Sequence, residues 1–84
     1  MPNVRPLRAD LTRYLETHQL ERKFAKQLLL LVTNHRHPSL HFELLLPKHR
    51  DIYSFRIDRN YRAIFVFIAP SLIEIIAINR HYND

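Results

Sequence analysis

Three arginines stand three residues apart in the run Ser54-Phe55-Arg56-Ile57-Asp58-Arg59-Asn60-Tyr61-Arg62. A guanidinium is a planar fork that matches phosphate bidentately, so forks gathered around one turn can hold a phosphodiester. By spacing alone, Arg56, Arg59 and Arg62 also read as a solvated charged turn. A second constellation is Asn79-Arg80-His81-Tyr82-Asn83-Asp84. Its His-Tyr pair could supply an acid near neutral pH and a positioned hydroxyl, against the plainer reading of a polar tail. A third group is His35, His37, His41 and His49. His35-x-His37 hints at metal, but the chain has no cysteine and the nearby carboxylates are only Glu43 and Asp51. A basic, partly titratable loop accounts for these histidines better, and no metal or other cofactor is expected. Glu43 shares a strand face with His41 and Leu45. Amid this much positive charge it is either a salt-bridge partner or a general base. Glycine is absent, which excludes a P-loop and a G-x-S-x-G elbow, and no H-E-x-x-H occurs.

Two kinds of element must position these groups, and the hydrophobic period separates them near Pro38. Leu7, Leu11, Tyr14, Leu15 and His18 form one helical stripe, and Leu20, Phe24, Leu28 and Leu31 form another. The few residues between them predict an antiparallel helical hairpin. Leu28 to Val32 is apolar nearly all round, so the end of the second helix is expected to be deeply buried. Asn34 is a plausible left-handed residue after that helix, and Pro38 prevents continuation. Without glycine, positive-φ turns fall to Asn, Asp or His.

After Pro38 the pattern is strands: His41–Leu46, Ile52–Ile57, Tyr61–Ala69 and Ile73–Ile78. Short connections make an antiparallel meander the simplest pairing. If Asp58-Arg59-Asn60 is a three-residue loop, Arg56 faces Arg62. Tyr53, Phe55, Ile57, Tyr61, Ala63, Phe65 and Phe67 then share the helix face. A two-residue loop would place Arg62 among those aromatics, where an unpaired guanidinium is costly. The other face carries Ser54, Arg56, Arg62, Ile64, Val66 and Ile68. Two arginines side by side there repel, which an anion would relieve. The aliphatic residues on that face form a patch for a partner to cover.

The chain has 84 residues and fits one domain, residues 1–84. Its formal charge is +5 and its pI about 10.1, pointing to a polyanionic or acidic partner. A 46% hydrophobic content supports a core. No apolar stretch is long enough for a membrane span, and the N-terminus has no secretory pattern, so a cytoplasmic protein is expected.

The stretch Arg36-His37-Pro38-Ser39-Leu40-His41-Phe42-Glu43-Leu44-Leu45, then Tyr53 to Phe65 (YSFRIDRNYRAIF), then Ile73-Glu74-Ile75 through His81-Tyr82, resembles the RelE/ParE toxin superfamily. It is similar to the RelE and YoeB branches in particular, over roughly residues 36–82. The resemblance implies an α+β fold, a helical hairpin packed on an antiparallel sheet. It implies a toxin of a type II toxin–antitoxin system, a metal-independent endoribonuclease that cuts mRNA, often on the ribosome, and is held inactive by an acidic antitoxin in a hetero-oligomer. Its YoeB-like site residues match Glu43, Arg62, His81 and Tyr82. Arg56, Arg59, Lys48, His49 and His41 are the basic residues expected to hold the RNA. The rival readings are a ParE-like inhibitor of DNA gyrase without a nuclease site, and a degenerate member that only binds antitoxin or RNA. Three departures from the pattern stand out. The family's opening strand is shortened or nearly lost in the proline-containing segment Met1–Pro6. The lysine-rich RelE site is not reproduced, and the turn before Tyr53 lacks the usual glycine.

Overall fold

The computed structural model describes residues 2–80, so the C-terminal group from His81 to Asp84 lies outside the described residues. The order of elements is β1 (Asn3–Val4), α1 (Ala9–Thr17), α2 (Glu21–Thr33), β2 (Glu43–Leu44), β3 (Ile52–Arg56), β4 (Tyr61–Ala69) and β5 (Leu72–Arg80), with 3₁₀ turns at Pro38–Leu40 and Lys48–Arg50.

The helices form where the stripes predict. Leu11 and Leu15, four residues apart, are the buried pair of α1, and Asp10 in its first turn suits the positive end of the helix dipole. The reversal into α2 costs a left-handed Gln19, at φ 56°, a conformation worth about 1–2 kcal/mol against a residue with a Cβ. It is held by Leu20 N–H donating to the Leu15 carbonyl at 2.8 Å, and Leu20 itself is buried.

In α2 the buried residues are Phe24, Gln27 and Leu31. The expected deep burial of Leu28 to Val32 is not what the fold does: Leu31 alone of that run is buried, and Leu29 is 62% exposed. The helix lies on one sheet face with no second layer above it, so only one stripe can be covered. Asn34 also departs from expectation, with φ −157°, extended rather than left-handed. The left-handed residues are Gln19, His41 and Asp51. Asp51 closes the turn at Lys48–Arg50 where a glycine would be the easy choice.

The sheet order is β1-β5-β4-β3-β2. Strands β2 to β5 form the expected antiparallel meander. The sheet as a whole is mixed, because β1 survives as two residues running parallel to β5, Asn3 opposite Leu72 and Val4 opposite Ile73. The expected strand His41–Leu46 shrinks to Glu43–Leu44. Left-handed His41 ends it on one side and Pro47 on the other.

The β3–β4 register matches the three-residue loop, with Arg56 opposite Arg62. Phe55, Ala63 and Phe65 are fully buried beneath the helices, together with Ile73, Ile75 and Leu40. Phe67 shares their parity yet remains 44% exposed, because the helices end before the strands do.

Gln27 joins the layers. Its side-chain amide donates to the Arg56 carbonyl at 2.9 Å and the Ser39 carbonyl at 3.2 Å. Gln27 is itself buried, so its amide needs these acceptors in place of water. Near the opposite edge, the Arg8 guanidinium donates to the Ile76 carbonyl at 3.2 Å.

Candidate functional site

On the sheet face away from the helices lies a cleft of about 330 Å³, lined by Glu43, Leu45, Ser54, Arg62, Ile64, Asn79 and Arg80. Strand register brings these residues together. Glu43 is opposite Ser54, the Arg56–Arg62 pair lies two residues further along the same face, and Arg62 is opposite Asn79.

Arg62 is the centre of the cleft and is only 7% exposed. Its Nε donates to Ser54 Oγ at 3.2 Å, and its Nη2 donates to Ser54 Oγ at 2.8 Å and to the His41 carbonyl at 2.6 Å. Ser54 is itself buried, so the fork is held at two of its nitrogens by hydrogen bonds to a buried hydroxyl and a backbone carbonyl. Glu43 Oε2 stands 3.8 Å from Nη2. Its side chain is 61% exposed against 9% for Arg62, so a solvent-facing carboxylate stands beside a desolvated cation.

Burial lowers the Arg62 pKa from its ordinary value; the charge of Glu43 opposes that and the charge of Arg56 reinforces it. The guanidinium is thus under-compensated where it sits. Arg56, its cross-strand neighbour, has a buried Nε with no hydrogen-bond partner. Two cations side by side, one desolvated and one with an unsatisfied donor, favour an anion close by.

Of the residues expected at the site, Glu43 and Arg62 meet in the cleft, and Arg56 flanks it across the β3–β4 pair. His41 contributes its carbonyl rather than its imidazole. Lys48 and His49 are in the exposed 3₁₀ turn and Arg59 is in the exposed hairpin loop; none of the three lines the cleft. His81 and Tyr82 lie outside the described residues, directly after Arg80 at the end of β5. Among the described residues, no three His, Asp or Glu side chains gather as metal ligands would.

The residue that motif reading passed over is Ser54. Its signal was present in the parity, since it alternates onto the face of Arg56 and Arg62 and is the one small hydroxyl there. Asn79 and Arg80 reach the cleft because β5 runs two residues beyond the expected end at Ile78.

Among the described residues, no helix is long and apolar enough to cross a membrane. No protein-family model and no curated protein matches the chain. Solved structures do. A YoeB/ParE toxin from Agrobacterium tumefaciens superposes with a TM-score of 0.69 at 15% identity, covering 98% of this chain and 100% of that one. The YoeB dimer from Staphylococcus aureus superposes at 0.58 with 24% identity, covering 95% of this chain and 94% of that one. At these identities the likeness is one of architecture: over nearly its whole length the chain has the α+β fold of the YoeB/ParE toxins, as the resemblance in its sequence implied.

Proposed function

We propose that the chain is the toxin of a type II toxin–antitoxin pair and that it cleaves mRNA, on the ribosome, through attack by the RNA's own 2′-hydroxyl. The observation that carries this reading is the Glu43–Arg62 pair, an exposed carboxylate 3.8 Å from a buried, under-compensated guanidinium in an open cleft.

Glu43 takes the 2′-OH proton as the oxygen attacks the adjacent phosphorus. Arg62, with Arg56 beside it, stabilises the added negative charge on the phosphorane oxygens. The bond to the 5′-oxygen breaks, and His81 supplies its proton, leaving a 2′,3′-cyclic phosphate and a 5′-hydroxyl. Tyr82 orients the phosphate or stacks on a base. No metal takes part in these steps. The roles of His81 and Tyr82 come from the family resemblance; those of Glu43 and Arg62 have the cleft geometry in support as well. An acidic antitoxin is the proposed partner of the +5 chain, and a cytoplasmic location follows from that role.

The test is induced expression in a bacterium followed by mapping of mRNA 5′ ends against codon positions. New ends in phase with codons, lost in Glu43→Gln, are the expected result. Intact mRNA with damaged DNA would instead identify a gyrase inhibitor. Binding to RNA or antitoxin without cleavage would identify a degenerate member.

A further inference from the structure

The nitrogen of Arg62 that Glu43 approaches has no hydrogen left to offer it. A guanidinium carries five N–H donors in one plane. The Nε hydrogen goes to Ser54 Oγ at 3.2 Å, and the two on Nη2 go to Ser54 Oγ at 2.8 Å and to the His41 carbonyl at 2.6 Å. The two on Nη1 have no acceptor among the described residues. A carboxylate and a guanidinium that share a hydrogen close to about 2.7–2.9 Å. Glu43 Oε2 stands 3.8 Å from Nη2, and the hydrogen that would draw it in is on the His41 carbonyl.

A costly backbone conformation aims that carbonyl. His41 is left-handed, at φ 43° and ψ 49°, a region that histidine enters more readily than most residues with a Cβ but still against a penalty. Both neighbours are anchored. Leu40 is fully buried, and the Ser39 carbonyl before it accepts from Gln27 of α2. Phe42 lies 5.4 Å from the Tyr53 ring and 6.0 Å from that of Phe65. The His41 side chain, by contrast, is exposed and does not line the Arg62 cleft. The fold fixes the peptide rather than the ring.

We propose that His41 is a positioning residue that works through its main chain: its left-handed turn places a neutral acceptor on Nη2 of Arg62 and so keeps the arginine from pairing directly with Glu43. This rests on the reading of Glu43 as base and Arg62 as clamp, and it departs from the expectation that His41 holds RNA by its imidazole.

A base and a phosphate clamp this close attract each other, and a closed pair disables both. The carboxylate's lone pairs would be occupied, and the guanidinium charge would be cancelled before the phosphate arrived. A carbonyl and a hydroxyl avoid this. They satisfy the hydrogens of a buried arginine without neutralising it. The charge then stays on the fork, Nη1 stays available to phosphate, and Glu43 stays available to a 2′-hydroxyl.

The experiment is a substitution series at His41 in the full chain, read by cleavage of a defined mRNA and by binding of an RNA oligonucleotide with a 2′-deoxy sugar at the scissile position. Gly and Asn enter the left-handed region easily; Lys and the β-branched Val do not. His41→Gly and His41→Asn should therefore keep the kcat that His41→Lys and His41→Val lose, by about tenfold or more. In the impaired pair the acid limb of the rate–pH profile should move to lower pH, as Glu43 closes on the arginine. His41→Val should also weaken binding of the uncleavable RNA, and should not do so when Glu43→Gln is already present, because no carboxylate is left to close. The side chain is exposed, so these changes open no cavity, and His41→Lys decides the matter if His41→Val does not fold. An imidazole that held RNA by charge would give the reverse order, with Lys best, Gly worst and the loss in KM. That order, or equal cleavage by the Gly and Val variants, would overturn this proposal alone. A wild-type chain that left mRNA intact would overturn it together with the nuclease reading.

Discussion

Arg62 and Glu43 do different physical work, and substitution separates them. Glu43 makes its one described ion pair from a largely exposed position. Glu43→Gln should therefore leave the melting temperature unchanged while lowering cleavage about 10²-fold or more, the usual scale for a lost general base. Arg62→Ala should lower cleavage at least as far and also cost about 1–3 kcal/mol of stability, because Ser54 Oγ and the His41 carbonyl lose their donor. Arg62→Lys keeps the charge but not the fork, and should recover stability better than activity. Urea unfolding and cleavage of a defined mRNA, measured on all three variants, check this; a Glu43→Gln protein with undiminished cleavage would remove the carboxylate from the mechanism. Gln27 presents the same logic away from the site. Gln27→Leu fills the volume but strands the Arg56 and Ser39 carbonyls, so it should destabilise by about 1–3 kcal/mol despite being more apolar. Nothing in the local sequence announces Gln27 as a core residue. Its two acceptors lie 12 and 29 positions away, and helical periodicity credits Leu28 with the burial that Gln27 takes. The pairing of Arg56 with Arg62 was legible, because the cost of placing a guanidinium among aromatics selects the loop length. That Arg62 would nonetheless be buried was not, since the donor-hungry groups that permit it, Ser54 Oγ and a backbone carbonyl, become neighbours only after the strands pair.

The β3–β4 hairpin turns without glycine, and Asp58 is what makes the turn work. Its carboxylate accepts from Asn60 N–H at 2.8 Å and Tyr61 N–H at 3.0 Å, and Lys23 Nζ on α2 approaches to 3.1 Å. Burial alone would push this carboxyl up, but those hydrogen bonds and the lysine charge outweigh it and hold its pKa below the ordinary aspartate value. A folded-state pKa below the unfolded one means the stabilisation is fully present above about pH 4 and disappears as pH falls through the folded value. Asp58→Ala should cost about 1 kcal/mol at neutral pH, in the range for lost side-chain caps of backbone donors. The gap between wild type and variant should then close as the pH is lowered below about 4. Equal gaps at pH 6 and at the acid end would show that the carboxylate's charge contributes nothing. At this scale the sequence was most readable where elements are long: α1 and α2 form where their stripes lie, though Gln27 replaces Leu28 in the buried face of α2, and β4 spans the expected Tyr61–Ala69. The two short strands were readable in place but not in extent, β2 within the expected His41–Leu46 and β1 within the segment Met1–Pro6. β1 and β2 have two residues each, too few for a period, and exist because β5 and β3 offer them an edge.

Across the whole molecule the +5 charge should make every encounter with RNA salt-dependent, and the two faces of the Glu43–Arg62 pair can be told apart by how they bend that dependence. Each phosphate that meets a fixed cation releases counterions and adds about 0.7 to the slope of log affinity against log salt for a single strand. With an RNA oligonucleotide carrying 2′-deoxy sugar at the scissile position, binding can be followed without cleavage. Arg62→Ala should lower the slope by about 0.7 and weaken binding most at low salt. Glu43→Gln should do the opposite to affinity: the carboxylate sits 3.8 Å from the guanidinium and competes with the incoming phosphate for it, so removing its charge should tighten binding of the uncleavable RNA while the cleavable one is cut more slowly. Only a residue that opposes the ground-state complex and assists the reaction gives that combination. If Glu43 merely braces Arg62, Glu43→Gln would loosen the arginine, and binding and cleavage would fall together. Tighter binding with slower cleavage would identify the carboxylate as the base, and a parallel loss of both would refute it.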